Sequence, residues 1–283
     1  MKVWLNKRIV DLRLAKVSVF DRGFLYGDGV FETMRSYDGK VFKLWEHLGR
    51  LRAGLKAIGI KMPYGEKGLA AAIRRLLKTN GLKDAYIRVE ISRGAGRIGM
   101  DARDVFCPTA VIITKEFAPY PAWMHEKGIS LRVVRARTNE YSPVTNIKSL
   151  NYLNNIVART EAKNKGADEA ILMNTRGHIA EAATSNIFLV KGNKVSTPSV
   201  ASGILPGVTR RCVIGLAYAL GLSVREGVVT YKELMGSDEV FLTNSLFEII
   251  PVVKIDGRKI GGSKPGRLTS ILAEGYKELV RAA

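Results

Sequence analysis

With 283 residues, 46% of them hydrophobic and 25% charged, the chain is long enough to bury a large core and belongs among soluble globular proteins of one long or two moderate domains. No apolar run approaches a membrane span, the opening Met1-Lys2-Val3-Trp4-Leu5 is too short and polar for a secretory leader, and Cys107 and Cys212 have neither metal-ligand spacing nor the density of a disulfide scaffold, so a cytoplasmic protein is expected. The formal net charge of +19 attracts anions, but the cations are scattered, with Arg74-Arg75 and Arg210-Arg211 the densest pairs; a solvated basic surface with a few cations reserved for a phosphate or carboxylate is therefore expected rather than a nucleic-acid-binding one.

In chain order, Asn6-Lys7-Arg8-Ile9-Val10 lies between apolar positions and predicts a short N-terminal hairpin. Residues 18–37 read as a glycine-punctuated loop running into an alternating strand, which Asp38-Gly39 turns into Val41-Phe42-Lys43-Leu44. Leu48, Leu51, Leu55 and Ile58 recur at helical spacing and predict a helix from Trp45 to about Ile58; a second runs from about Glu66 to Asn80 and stops at Gly81. Ala85 to Ser92 alternates as a strand does, and Thr109 to Thr114 is apolar enough for a buried one. Pro119 and Pro121 fall outside any periodic pattern, which sets a linker at 117–123 between an N-terminal domain, 1–116, and a C-terminal domain, 124–283.

The second half restarts with a strand at Ile129 to Val134, then a loop to Lys148 and a helix that Ser149 or Asn151 can cap, with Leu150, Leu153, Ile156 and Val157 as its apolar face and Gly166 as its end. Strands follow at about Glu169 to Met173, Ile187 to Val190 and Lys194 to Ser196. A helix opened by Leu205-Pro206-Gly207-Val208-Thr209-Arg210 runs to Leu220, a strand covers Glu239 to Asn244, and a last helix spans about Leu268 to Val280. Both halves mix strands and helices, so the expected architecture is two-domain α/β (α+β), with a smaller N-terminal α/β domain and a larger, strand-rich C-terminal one.

The stretch Asn146-Ile147-Lys148-Ser149-Leu150-Asn151-Tyr152 holds a lysine at the mouth of a helix among hydroxyl and amide side chains. Such a lysine can form an imine with a carbonyl cofactor, although an arbitrary lysine is a solvated surface charge. Were the cofactor pyridoxal phosphate, its ring nitrogen would need a carboxylate. Its phosphate would need a cation plus backbone N–H groups at a helix start, and its phenolate a donor. Glu181 lies between strands in a stretch of small residues, where a buried carboxylate would need a partner; an exposed turn glutamate fits the same letters. Pro206 to Arg210 has the glycine-then-helix layout of an anion site and equally of a plain helix start. Arg50, on the Trp45 helix, can reach a phosphate or be solvated, and Tyr152 is placed one turn beyond Lys148 on the same face.

The order Phe31-Glu32-x-x-Arg35, His47-Leu48-x-Arg50-Leu51, Lys148 with Tyr152-Leu153-x-Asn155, Asp168-Glu169-Ala170, Glu181 with Asn186-Ile187-Phe188, Thr197-Pro198, Leu205 to Arg210, Asp238 to Thr243 and Pro251-Val252 resembles the class IV (fold type IV) pyridoxal-phosphate aminotransferases over nearly the whole chain. That group includes branched-chain and D-amino-acid aminotransferases and aminodeoxychorismate lyase. The resemblance implies a dimer of two-domain subunits, a pyridoxal 5′-phosphate cofactor in the interdomain cleft, and amino-acid and 2-oxo-acid substrates such as 2-oxoglutarate. Lys148 matches the Schiff-base lysine that also carries the proton between Cα and the cofactor, and Glu181 matches the ring-nitrogen partner. Tyr152 matches a tyrosine near the phenolate, and Arg50 with Val208, Thr209, Thr243 and Asn244 matches the phosphate cradle. Tyr26, Phe31 and Arg35 match positions lining the substrate pocket, and Tyr86 with Arg88 matches a Tyr-Ile-Arg segment near the substrate carboxylate. A loop such as Arg97 to Arg103 is expected to order against a partner subunit.

The subgroup motifs diverge. Branched-chain enzymes usually carry Phe-Glu-Gly-Ile-Arg and Thr-Gly-Thr-Ala, where this chain has Phe31-Glu32-Thr33-Met34-Arg35 and Thr243-Asn244-Ser245-Leu246; both departures resemble the lyases. Tyr152 and Tyr86-Ile87-Arg88 resemble the branched-chain enzymes. Gly99 and Met100 stand where D-amino-acid enzymes place a histidine. An aminotransferase for an apolar, branched-chain L-amino acid is the leading expectation, aminodeoxychorismate lyase the alternative, and a D-amino-acid enzyme the third.

Overall fold

The chain opens with the hairpin that its turn residues favour. β1 (Lys2–Leu5) and β2 (Arg8–Asp11) are joined by Asn6 and Lys7 at φ 43° and 74°, the primed turn whose twist matches that of paired strands. The computed structural model describes residues 1–283 except Asp104 and Phe106. The chain divides into two units, residues 1–118 with 147–151, and residues 119–146 with 152–283.

In the first unit, α1 (Arg22–Tyr26) precedes β3 (Gly29–Tyr37), β4 (Lys40–Val41), α2 (Leu44–Ala57), α3 (Gly65–Asn80), β5 (Ala85–Ser92) and β6 (Thr109–Glu116). The strands form an antiparallel sheet in the order β2-β1-β6-β5-β3-β4. Period-two alternation gives this sheet two different faces. Val30 and Met34 of β3, Ile87, Val89 and Ile91 of β5 and Ile112 of β6 pack with Leu48, Leu51 and Leu55 of α2 and Leu69, Ile73 and Leu76 of α3 into one core. The intervening residues, Phe31, Thr33 and Arg35 of β3 and Tyr86, Arg88 and Glu90 of β5, share the opposite face. The short α1 escaped the sequence pattern because five residues carry too little periodicity; the Asp21 side chain caps it by accepting from Gly23 N–H.

Residues 147–151 return to this unit as an extended segment along the start of β3. Phe31 N–H donates to the Lys148 carbonyl at 2.9 Å, Leu150 N–H donates to the Gly29 carbonyl at 3.0 Å, and Asn151 Nδ2 donates to the Gly27 carbonyl at 2.9 Å. Gly29 permits this approach, since a Cβ there would lie 2.5 Å from the Ile91 carbonyl and 2.8 Å from Leu150 Cδ1. The pairing corrects two expectations. The following helix, α5, starts at Leu153 with Tyr152 as N-cap and no side-chain cap. Ser149 and Asn151 therefore do not cap it, and Tyr152 is not a helical turn beyond Lys148, because the intervening backbone is spent on β3.

The second unit contains α4 (Ala122–Glu126), β7 (Ile129–Thr138), α5 (Leu153–Asn164), β8 (Glu169–Asn174), β9 (Ile179–Ala182), β10 (Asn186–Lys191), β11 (Lys194–Pro198) and α6 (Val208–Ala219). It continues with β12 (Ser223–Gly227), α7 (Tyr231–Met235), β13 (Glu239–Asn244), β14 (Glu248–Ile255), β15 (Arg258–Lys259) and α8 (Arg267–Arg281). Its sheet runs β12-β11-β10-β13-β14-β7-β8-β9, with β15 on β14. Glu181 lies within β9, not in a turn between strands. The apolar face read for α5 points outward. Ala158 and Ala162 face inward with Val134, Ala170 and Leu172, while Leu153, Ile156 and Val157 are 72%, 58% and 54% exposed. Alanines let the helix approach the sheet closely, leaving its larger apolar side chains outside. Among the described residues, no helix is long and apolar enough to cross a membrane.

Candidate active site

Two groups of residues carry chemistry, one in each unit. In the first, the 147–151 segment brings Lys148 to the face of Phe31 and Arg88. Lys148 Nζ lies 4.3 Å from the centre of the Phe31 ring and the Arg88 guanidinium carbon 4.0 Å from the same centre. An aromatic face attracts cations, so the ring fixes two of them in one neighbourhood. Arg35 is stacked by Tyr37 at 4.2 Å and Phe117 at 3.8 Å, and Tyr86 stands opposite Arg35 in the β3–β5 register. Tyr26 is tied to the 97–103 loop, its hydroxyl accepting from Gly99 N–H at 2.8 Å, and Arg22 holds the same loop by donating to the Gly99 carbonyl at 2.7 Å.

Behind β3, on its core side, Glu32 is fully buried. Arg50 grips it with Nε on Oε1 at 2.7 Å and Nη2 on Oε2 at 2.8 Å, and His47 Nδ1 lies 2.8 Å from Oε2. Burial alone would raise the Glu32 pKa, but the charge and hydrogen bonds of Arg50, aided by His47, outweigh it and hold the carboxyl at about 2. Glu32 and His47 stood in the motif strings without a role. Alternation places Glu32 with Val30 and Met34, where a carboxylate requires a partner, and the i, i+3 spacing of His47 and Arg50 supplies one.

In the second unit, Glu181 Oε2 accepts from Asn186 Nδ2 and from Leu205 N–H, both at 3.1 Å, and Asn186 Nδ2 also donates to the Leu205 carbonyl at 2.9 Å. The Leu205–Gly207 approach to α6 is thereby bound to β9 and β10. Gly207 is the N-cap of α6 and leaves it without a side-chain cap; a Cβ there would sit 2.1 Å from Asn186 Oδ1. Directly across from Asn186 in the β10–β13 register is Thr243, 1% exposed, whose Oγ1 is buried with no hydrogen-bond partner. An uncapped twelve-residue helix beside a buried, unsatisfied hydroxyl is the arrangement that an anion completes. Arg210, in the first turn of α6, points elsewhere, donating to the Pro198 carbonyl and the Glu226 carboxylate. Asn244 builds the β13–β14 turn: its Oδ1 accepts from Leu246 and Phe247 N–H, both at 2.9 Å, and its Nδ2 donates to the Thr184 carbonyl.

Taken unit by unit, the residues have the chemistry that the pyridoxal phosphate implied by the motifs would need: the first unit carries an amine, and the second a carboxylate held by an amide and a backbone N–H, an uncapped helix start and a buried threonine hydroxyl.

Comparison with known proteins agrees. The model of the amino-transferase class IV family matches residues 29–255. A Methanocaldococcus jannaschii protein provisionally named a branched-chain-amino-acid aminotransferase is 42% identical, covering 99% of this chain and 96% of that protein. The aminodeoxychorismate lyase of Bacillus subtilis is 36% identical over 99% of this chain and 94% of its own length. Among solved structures, the branched-chain amino acid aminotransferase of Escherichia coli superposes with a TM-score of 0.95 at 32% identity, covering 99% of this chain and 94% of that one. The T.th. branched-chain amino acid aminotransferase complexed with N-(5′-phosphopyridoxyl)-L-glutamate gives 0.92 at 32% identity, covering 99% and 93%. The family model, the relatives and the solved structures together show what the chain is: it belongs to the class IV aminotransferases, with a mixed α/β fold divided into two units.

Proposed function

We propose that this enzyme uses pyridoxal 5′-phosphate to move an amino group between an apolar, branched-chain L-amino acid and a 2-oxo acid such as 2-oxoglutarate. The observation that carries the reading is the Lys148 amine, held over Phe31 on the sheet face that also bears Arg35, Tyr86 and Arg88. When bound, pyridoxal phosphate supplies an aldehyde that condenses with amines and a ring that accepts the electrons released when a Cα–H bond breaks. Lys148 would provide the amine that holds the cofactor and, as a free amine, the base that moves the substrate's Cα proton. Glu181 would hold the ring nitrogen in its protonated form, and Tyr152 would serve the phenolate oxygen. Val208 and Thr209 offer helix-start N–H groups to the phosphate, Thr243 its hydroxyl, Asn244 its turn, and Arg50 a cation fixed in orientation by Glu32. Tyr26 and Phe31 pack against the substrate, and Arg35, Tyr86 and Arg88 recognise carboxylate.

A lyase reading is favoured by Thr33 and Asn244, where the branched-chain motif has glycine in both places, and by the Bacillus subtilis relative. The assay that separates the readings supplies L-leucine, D-alanine or aminodeoxychorismate to the holoenzyme and follows the cofactor spectrum together with the product. Amine transfer from L-leucine is expected. Pyruvate from aminodeoxychorismate with no amine transfer would replace the aminotransferase reading with the lyase.

We further propose a homodimer in the cytoplasm. Leu14, Val19, Phe20 and Phe24 are 71%, 66%, 50% and 77% exposed, and in the same unit Ile98 and Met100 are 73% and 83% exposed. Gly96 N–H donates to the Phe20 carbonyl, which ties the backbones of the two stretches together. Both cysteines are free thiols, as a reducing compartment keeps them. Sedimentation should give twice the 31.1 kDa chain mass, and Phe24→Asp should shift the protein towards monomer; a wild-type protein that sediments as a single chain refutes the dimer.

A further inference from the structure

We propose that Glu90 sets the balance between apolar and acidic substrates by occupying the guanidinium of Arg88. This rests on the aminotransferase reading above and assigns a specificity role to a residue that no motif singled out.

On β5, Tyr86, Arg88 and Glu90 share the face of Lys148, with Arg88 opposite Thr33 and Glu90 opposite Phe31. Arg88 Nε donates to Glu90 Oε1 at 2.5 Å, and the two side chains remain 28% and 32% exposed, so the pair is open to a ligand. Phe31 ties the pair to the amine, since Arg88 and Lys148 lie 4.0 and 4.3 Å from the centre of its ring. Among the described residues of the six strands, Glu90 is the only carboxylate on this face, alongside Arg8, Arg35, Lys40, Arg88 and Lys115. The lone anion therefore sits on the cation beside the reactive amine.

An arginine without an internal partner is a ready fork for a carboxylate. With Glu90 on Nε, one edge of that fork is taken and its charge balanced. A second carboxylate on the substrate must then share Arg88 with Glu90, against like-charge repulsion in a partly desolvated place. An apolar side chain meets no such repulsion and gains the flank of the Phe31 ring. The pair thus holds back acidic substrates without excluding them, and favours leucine-like ones.

The test uses the holoenzyme and its Glu90→Gln variant, which keeps size and one acceptor while removing the charge. Glutarate and 4-methylpentanoate serve as non-reacting probes of acidic and apolar substrates, their binding read from the visible absorbance of the bound cofactor. Glu90→Gln is expected to tighten glutarate about tenfold or more while changing 4-methylpentanoate less than about twofold. The kcat/KM ratio of L-glutamate to L-leucine should rise in parallel. Adding Arg88→Gln should erase the gain, which a merely structural Glu90 would not do. Should Glu90→Gln fail to fold, Glu90→Ala carries the same expectation. Equal effects on both probes, or none, overturn the assignment. Because the probes do not turn over, their binding tests Glu90 even if neither amino acid donates an amine, an outcome that would instead remove the aminotransferase reading.

Discussion

On the role proposed for it, Lys148→Ala is expected to reduce amine transfer from L-leucine by at least about 10⁴-fold, measured in single turnovers by the cofactor spectrum, because the substitution would remove both the amine that binds the cofactor and the base that moves the proton. The fold should survive. The segment is held by backbone groups, with Phe31 N–H on the Lys148 carbonyl and Leu150 N–H on the Gly29 carbonyl, and alanine retains both. Added methylamine, an external base of similar chemistry, should restore part of the rate. A variant that transfers amine at the wild-type rate would show that another lysine does this work.

Removing the Glu32 carboxylate is expected to be the largest stability loss of any single charge in the first unit. Glu32→Ala leaves Arg50 and His47 facing a buried gap, at a cost of about 3–5 kcal/mol, read as a lower denaturant midpoint. Glu32→Gln separates charge from shape through pH. The folded carboxyl titrates at about 2 against an ordinary 4.5, so between those values the unfolded chain holds a proton that the folded chain does not. The stabilisation, about 3 kcal/mol, is complete above about pH 4.5 and is lost as pH falls towards 2. The wild-type advantage over Glu32→Gln should therefore shrink to about 1 kcal/mol at pH 3. An advantage of equal size at pH 7 and pH 3 would show that the ion pair does not contribute this stability.

How much could be read from the letters depended on the range of the interaction. Alternation in Ala85 to Ser92 and the spacing of Leu48, Leu51 and Leu55 are local, and they give β5 at both ends and α2 to within one residue at each end. Gly81 and Gly166, at φ 65° and 73°, end or follow helices as positive-φ glycines do. What stayed hidden was non-local. No periodicity within 147–151 reveals that its partner is β3, more than a hundred residues earlier, so the caps assigned to Ser149 and Asn151 were wrong. Spacing shows that Leu153, Ile156 and Val157 of α5 share a stripe but not which way it points; the small Ala158 and Ala162 are the side chains that face inward. β9, β14, α4 and α7 were missed, being short or broken by polar residues and Pro251. The candidate residues themselves were legible as an ordered motif series, while the grip of Glu32 on Arg50 and of Glu90 on Arg88 required three dimensions.

The attachment of the Lys148 segment by main-chain hydrogen bonds also gives the lysine a reporter that involves no chemistry. The amide protons of Phe31 and Leu150 are the ones that close the pairing, and they can exchange with deuterated solvent only when the segment lifts from β3. Their exchange rate thus measures how often the Lys148 amine leaves its place, residue by residue and without a substrate present.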